Sequence, residues 1–271
     1  MQSGRDYVRI GDPDLPKLIC VHGFGDDLSA FDALGRSQLT DMFELVLLNL
    51  PGFGGAPAPL EPASLDSFAQ FILDVADMVS PDRPVVLLAH SVASVIATKA
   101  ATERPDRIAA LISIEGNLTA PDAYFSALAA CYDTAPEFLA GLLAKIAELD
   151  ASTARPSRYA QAVRRADSQV MFDLGRDVAS RNIGDSFGES FLQLQDDGVA
   201  SFYFWGRHNS PPETAAFVDR AATAGKLHHR EFFESGHWKF ADAPAETAQV
   251  IMEFCASLPG SELTAHPYKE V

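Results

Sequence analysis

The sequence predicts an α/β fold: a mostly parallel central sheet with helices on both faces and an inserted helical cap. Three observations predict it. Short apolar segments alternate with amphipathic helical segments over the first 115 residues, residues 118–198 show helical periodicity alone, and the alternation then resumes. Strands that alternate with helices are typical of parallel α/β sheets.

The predicted strands share apolar residues at successive positions, which is typical of strands buried on both faces of a parallel sheet. They are 17–21, 44–50, 84–89, 108–114, 200–205 and 227–233. Helices are predicted where apolar residues recur every three or four positions, at 64–79, 92–102, 212–224 and 245–258. Ser64 is placed to cap the first of these helices.

Between the strands 108–114 and 200–205, helices alone are predicted, at 122–131, 136–149, 157–172 and 188–194. Such an insertion lies over the carboxyl edge of the sheet, where ligands bind in open α/β sheets. We therefore divide the chain into a core, 1–117 and 199–271, and a helical cap, 118–198. The cap is rich in aromatic residues, which either line a pocket or form the cap's own core.

The charge balance excludes one class of partner. The chain has 21 Lys and Arg residues against 37 Asp and Glu residues, a formal net charge of −16. Such a surface repels phosphate backbones, so we expect no nucleic-acid partner.

The length of the apolar runs and the spacing of the cysteines predict where in the cell the protein is located. The apolar runs are far shorter than the ~20 residues of a membrane-spanning helix, and the first ten residues lack the apolar stretch of a signal peptide. Cys20, Cys131 and Cys255 are widely spaced and odd in number, which fits buried thiols in a reducing compartment. We expect a cytoplasmic protein without a membrane span.

A serine stands between a predicted strand and a predicted helix, in the string AHSVA at 89–93. A sharp turn there projects the hydroxyl of Ser91 away from the backbone, and the helix N-terminus favours developing negative charge. The turn requires small residues two positions before and after the serine, and both are alanines here instead of the usual glycines. Ser91 could simply cap the helix, but the strand before it and the helix after it favour a nucleophile.

With the serine turn in place, the chain resembles the α/β-hydrolase superfamily over nearly its whole length. The string CVHGFG at 20–25 is similar to the family's HG loop, which contributes an oxyanion-hole amide. The string LPGFG at 50–54 resembles the turn after the next strand, although Asn49 stands where many members have Asp. The string SGHW at 235–238 follows the last strand, where the family places its catalytic histidine.

An oxyanion hole requires two amides that converge on one oxygen. The serine turn supplies the amide of Val92, and the resemblance implies that the HG loop supplies the amide of Phe24. The loop could instead be a plain glycine turn. Phosphate binding by its glycines is disfavoured, because neither a G-x-G-x-x-G nor a Walker pattern is present.

A serine hydroxyl is a poor nucleophile until a nearby base takes its proton. Among seven histidines, His237 follows the last predicted strand and obeys the chain order serine, acid, histidine. His208 also follows a strand. The others lie in the HG loop, in the serine turn pointing away from the Ser91 hydroxyl, in a strand or in the tail, namely His22, His90, His228, His229 and His266.

The acid departs from the family's most common pattern. The family usually places an Asp after the strand that follows the cap, in a string like G-x-x-D, but here the string is GRHN and ends in Asn209. Glu115 follows the strand 108–114 and could reach His237 from there; some α/β-hydrolases, including a subgroup of haloalkane dehalogenases, resemble this arrangement. Glu115 could instead be solvated or pair with an arginine of the cap. We expect a carboxylate oxygen of Glu115 within about 2.6–3.2 Å of a ring nitrogen of His237.

A serine, a base and an oxyanion hole suit attack on a carbonyl. We expect a serine hydrolase, like a carboxylesterase or lactonase, that acts on a small apolar ester, lactone or acyl substrate with neither cofactor nor metal. Its catalytic residues would be Ser91, His237 and Glu115, and its pocket residues His22, Gly23, Tyr124, Phe125 and Trp238. An acyltransferase or thioesterase with the same site stays open, as does a non-catalytic ligand-binding protein on this fold.

Overall fold

The computed structural model describes residues 7–149, 157–184, 186–233 and 236–258. Within these ranges the strands are Tyr7–Ile10 (β1), Lys17–Val21 (β2), Glu44–Leu48 (β3), Val85–His90 (β4), Ile108–Ile114 (β5), Ala200–Trp205 (β6) and His229–Glu231 (β7). They form one sheet in the order β1-β3-β2-β4-β5-β6-β7. Only the pair β1–β3 is antiparallel among these described strands. The predicted α/β fold with a mostly parallel central sheet is confirmed.

Apolar residues on both faces explain why the central strands read as uninterrupted apolar runs. All residues of β2, β3 and β4 are buried. Their side chains alternate between two clusters: Ile19 and Val21 pack on one side of the sheet, and Leu18 and Cys20 on the other. The strands β3 and β7 are shorter than the predicted 44–50 and 227–233.

Outside residues 115–199, the described α-helices are Leu65–Val79 (α1), Ala93–Glu103 (α2), Pro212–Thr223 (α7), Lys239–Asp242 (α8) and Pro244–Ala256 (α9). The Ser64 side chain accepts from the Ser67 amide and caps α1 as predicted. The buried faces of α1 and α2 join one apolar cluster, and that of α9 joins the other. The sheet therefore carries helices on both faces.

Residues 118–198, which lie between β5 and β6 and which we call the helical insertion, contain helices and turns but no strand in their described part. They comprise two short 3-10 helices, Ala120–Ala123 and Ser126–Cys131, and Ala135–Leu149 (α3), Arg158–Arg165 (α4), Ser168–Arg181 (α5) and Ser186–Gln193 (α6). The single helix predicted at 157–172 is wrong. The Asp167 side chain accepts from the amides of Gln169 and Val170, and this cap starts a new helix, α5.

The division of the chain into a core and a cap stays a prediction. Residues 150–156 and 185 of the expected cap, and 1–6, 234–235 and 259–271 of the expected core, lie outside the described residues. In the described part, buried residues of the insertion, such as Phe138 and Met171, belong to the same apolar cluster as α1 and α2.

Candidate active site

The serine turn is a strained connection between β4 and α2. Ser91 has a φ of 55°, in the left-handed region that non-glycine residues rarely adopt. Its N–H donates to the Ile114 carbonyl on β5 over 3.0 Å. Its own carbonyl accepts from the N–H of Ser94 at 2.9 Å and from the Ser94 hydroxyl at 2.7 Å. These bonds hold Ser91 in the conformation that a nucleophile on such a turn requires.

The turn packs closely against the loop after β2. A Cβ atom added to Gly23 would lie 3.0 Å from the Cβ of Ser91 and 3.0 Å from Nδ1 of His90. This tight approach explains a glycine at position 23. It also brings Phe24 and Val92, the two expected oxyanion-hole residues, to the lining of the same cavity as Ser91.

Glu115 follows β5 directly and is held from several sides. Its φ of 49° is also left-handed, and its N–H donates to the Phe204 carbonyl on β6 at 2.8 Å. The side chain is only 4% exposed. Its Oε1 accepts from the Gly206 amide at 2.7 Å and lies 2.7 Å from Nζ of Lys239.

The other carboxylate oxygen of Glu115 faces His237. Oε2 lies 3.8 Å from Nδ1 of His237, which is ion-pair range but longer than a hydrogen bond. The expected separation of 2.6–3.2 Å is therefore wrong for this structure. The Gly206 amide and the Lys239 ammonium hold Oε1, which leaves Oε2 as the oxygen that faces the ring.

The electrostatic surroundings keep Glu115 ionised. Burial alone raises the pKa of its carboxyl group, but the adjacent His237 and Lys239 lower it by more, so the net pKa lies below the usual value. A carboxylate that stays charged can orient and stabilise an imidazolium.

Two other acids, Asp26 and Asp122, line the cavity. Both carboxylates accept hydrogen bonds from other parts of the chain. Asp26 accepts two hydrogen bonds from Arg158 and one from the indole of Trp238. Asp122 accepts from the hydroxyl of Thr214 and from main-chain amides at 118 and 119, while burial raises its pKa. Asn209 lines the same cavity without a carboxylate. Of these side chains, Glu115 is the acid with an ion-pair contact to His237.

His90 contacts His237, the expected catalytic histidine. The sequence did not indicate this contact. The ring centroid of His90 lies 4.6 Å from that of His237, and its Nε2 lies 3.1 Å from the His237 carbonyl oxygen. Because a carbonyl only accepts, Nε2 carries the hydrogen. Burial, then the charge of His237, lower the pKa of His90 well below its usual value. His90 was expected to point away from the Ser91 hydroxyl; it lines the cavity and holds the backbone of His237.

His22 lies behind the cavity and not among its lining residues, contrary to the pocket role expected for it. It is fully buried. The Leu50 amide donates to its Nε2 at 3.1 Å, so its Nδ1–H donates to the Gly23 carbonyl at 2.9 Å. Burial also lowers its pKa. His22 is thus a neutral ring that supports the loop of Phe24.

The cavity has a volume of about 570 Å³. The residues outside the insertion include Ser91, Glu115, His237 and the expected pocket residues Gly23 and Trp238. The insertion contributes an apolar wall that includes Tyr124, Phe125, Ile146, Leu149 and Tyr159. Four of the five expected pocket residues therefore lie in the lining.

Helix α4 is bound to the loop that carries Phe24. Asp26 is 1% exposed, and its carboxylate oxygens lie 2.6 and 2.7 Å from the guanidinium of Arg158. The Tyr159 hydroxyl donates to the Phe24 carbonyl at 2.9 Å, and Arg165 pairs with Asp27. The Trp238 indole donates to Asp26 at 2.9 Å. One buried carboxylate thus joins the insertion, the Phe24 loop and the residue after His237.

Two further properties concern the described residues only. They include no cluster of three or more His, Cys, Asp or Glu side chains placed to hold a metal ion. None of the helices described in these ranges has the length and apolar character needed to cross a membrane.

A model of the alpha/beta hydrolase fold matches residues 16–217 of the chain. A pimeloyl-[acyl-carrier protein] methyl ester esterase of Citrobacter koseri is 30% identical over 131 residues, which are 48% of this chain and 46% of that protein. The chain therefore spans about half the length of this curated relative.

Solved structures superimpose on more of the chain than the curated relative covers. A thermophilic esterase from Thermogutta terrifontis superimposes with a TM-score of 0.71 and 20% identity, over 92% of this chain and 91% of that one. The N-acyl homoserine lactonase AidH superimposes with a TM-score of 0.72 and 16% identity, over 97% of both chains. At these identities the likeness shows a common fold.

Proposed function

This chain belongs to the α/β hydrolase fold family, and from that premise we propose that it is a serine hydrolase that cleaves a carboxylic ester or lactone through an acyl-enzyme on Ser91. One observation carries the proposal. Ser91 on its left-handed turn, His237 and the buried Glu115 line one cavity, although 146 positions of the sequence separate the first from the second. The esterases and the lactonase that resemble this chain support the same chemistry.

The proposed reaction has two half-reactions. His237 takes the proton of the Ser91 hydroxyl while the Ser91 oxygen attacks the substrate carbonyl. His237 then gives that proton to the leaving alcohol. Water, activated by the same histidine, next attacks the acyl-enzyme and releases the acid and Ser91. Glu115 faces Nδ1 of His237, so the other ring nitrogen is the one that serves Ser91.

The amides of Phe24 and Val92 are proposed to bind the negative oxygen of the tetrahedral intermediate. Helix α2 begins at Ala93, so the Val92 amide precedes the first turn, where helix amides lack carbonyl partners within the helix. Removal of one such donor costs roughly 3 kcal/mol of transition-state stabilisation.

The cavity favours a neutral, largely apolar acyl group. No Lys or Arg is among the described residues that line it, whereas Asp26, Glu115 and Asp122 are. A carboxylate on the substrate would find no cation in this lining to pair with. We also propose that the helical insertion acts as the cap, since its aromatic and aliphatic side chains form the apolar wall.

Hydrolysis is favoured over acyl transfer because water can reach the base. The side chain of His237 is 37% exposed, so a water molecule can approach it at the acyl-enzyme stage. We further propose a cytoplasmic location, supported by the fact that Cys20, Cys131 and Cys255 are all free thiols.

A substrate panel tests the proposed function. It pairs p-nitrophenyl esters of neutral acyl chains with esters of the same length that end in a carboxylate, and adds lactones and thioesters. We expect hydrolysis of the neutral esters or lactones, with lower kcat/KM for the carboxylate-bearing partners. Faster turnover of thioesters, or preferential transfer to an added alcohol, would favour the alternative activities. Specific binding without turnover would indicate a ligand-binding protein.

A further inference from the structure

Lys239 is fully buried next to the acid of the proposed site. Its exposed fraction is 0%, and its Nζ lies 2.7 Å from Oε1 of Glu115. It also donates to the Gly236 carbonyl at 3.3 Å and lies over the ring of Phe232 at 5.5 Å. A buried lysine is uncommon unless it is paired, and the catalytic steps proposed above do not use it.

The room for this ammonium is made by a glycine. A Cβ atom at Gly206 would lie 2.8 Å from Nζ of Lys239, while the Gly206 amide donates to the same Oε1 of Glu115. The first position of the GRHN string therefore serves the ion pair, although the string lacks the acid at its last position.

The two oxygens of Glu115 have different partners. Oε1 is held by the Gly206 amide and the Lys239 ammonium, and Oε2 faces Nδ1 of His237. His237 and Lys239 lie two positions apart, on either side of Trp238. The same short segment thus brings both the base and a cation to one carboxylate.

We propose, on the basis of the proposed function, that Lys239 is a positioning residue for Glu115: its ammonium fixes Oε1 and offsets the buried negative charge, so that Oε2 orients His237 without keeping it protonated. With Lys239 present, the carboxylate and the ammonium form a nearly neutral pair beside the ring. Without it, a full negative charge would face His237 and stabilise the imidazolium. A protonated histidine cannot accept the proton of Ser91.

Other groups near His237 do not replace this effect. His90 on the serine turn is buried with a lowered pKa, so it is neutral. Asp26, which lies beyond Trp238, is paired with Arg158. Asp242 on α8 accepts from the Gly236 amide at 2.8 Å, and His208 lines the cavity after β6. These four residues are unchanged in the variants, so a shift in the titration of His237 reports on the substitution at position 239.

The experiment is an NMR pH titration of the His237 imidazole in the full chain, assigned by the signal lost in His237→Gln. We expect Lys239→Met to raise the pKa of His237 by about 1 unit or more, the size of shift that one nearby charge produces. The acid limb of the pH profile of kcat/KM should move up with it. Lys99→Met is the matched control: it removes one lysine charge that pairs with Asp66 and Glu103 on the surface, and neither readout should move.

A second pair of variants decides the question if Lys239→Met does not fold. Glu115→Gln leaves the ammonium unpaired beside the ring, and Glu115→Gln with Lys239→Met removes both charges. We expect His237 to titrate at higher pH in the double variant than in Glu115→Gln. Equal values, or a folded Lys239→Met with unchanged titration and acid limb, would overturn the inference.

The titration does not depend on turnover. If the protein hydrolyses no ester but His237 shifts as expected, the proposed function fails while the role of Lys239 stands. If esters are hydrolysed and His237 does not shift, the proposed function stands and Lys239 is a structural cation only.

Discussion

The Nε2–H of His90 donates to the carbonyl oxygen of His237 over 3.1 Å. The residue before the proposed nucleophile therefore holds the backbone of the proposed base. Burial, then the charge of His237, lower the pKa of His90 well below its usual value, which favours the neutral ring in this contact. It links the turn after β4 to the segment before α8 at the place where proton transfer is proposed.

Loss of this contact should lower kcat. His90→Phe keeps an aromatic ring but removes the donor, and we expect kcat to fall by about 10- to 100-fold with little change in KM, since small misplacements of a base are costly. His90→Gln keeps an N–H donor and should retain more activity. Steady-state kinetics with circular dichroism check both variants. Full activity in a folded His90→Phe would show that His237 is positioned without it.

Glu115 should matter far more than Asn209. Loss of a triad acid can cost ~10⁴ in kcat, so Glu115→Gln should reduce kcat by several orders of magnitude with KM nearly unchanged. Asn209→Ala should cost much less. Adding Asn209→Asp to Glu115→Gln should recover part of the rate by returning a carboxylate to the loop after β6. A fully active Glu115→Gln would mean that the site works as a dyad.

The ion pair between Asp26 and Arg158 should stabilise the attachment of α4. Arg158→Met leaves a 1% exposed carboxylate without its guanidinium. We expect the free energy of unfolding to fall by about 1–3 kcal/mol, together with a lower kcat because the Phe24 loop loses a restraint. Urea unfolding measures the first effect.

The control for that variant is Arg104→Met. Arg104 forms a bidentate pair with Asp106 on the surface, and solvent screening leaves such exposed pairs little effect on the free energy of unfolding. Equal stability losses in the two variants would show that the buried pair has no special role.

The elements that sequence predicts best here are those with one uniform environment. The strands 17–21, 108–114 and 200–205 match the structure because almost all of their residues are buried. Strand β1 was not predicted, since its two middle residues are exposed and no apolar run results. The break between α4 and α5 was missed because the amphipathic spacing continues through Asp167, whose capping role depends on the backbone there.

In the proposed site, too, some residues can be predicted from the sequence and others cannot. Ser91 and Glu115 were found because each directly follows a buried strand, and strand ends are visible in sequence. Contacts between distant residues leave no local pattern in the sequence. Arg158 and Asp26 are 132 positions apart. Lys239 begins a short helix, and only the structure shows that it contacts Glu115. Sequence therefore indicates the proposed reacting groups more readily than the residues that hold them.

The most direct test of the account is covalent labelling of Ser91 by a fluorophosphonate probe. We expect wild-type protein to be labelled once, at Ser91 by peptide mass spectrometry, and Ser91→Ala to be unlabelled while it stays folded. Ser94→Ala is the neighbouring control: it removes a hydroxyl that donates to the Ser91 carbonyl, and it should still be labelled at Ser91. Equal labelling of Ser91→Ala, or no labelling of a folded wild-type protein, would contradict the assignment of Ser91 as the nucleophile.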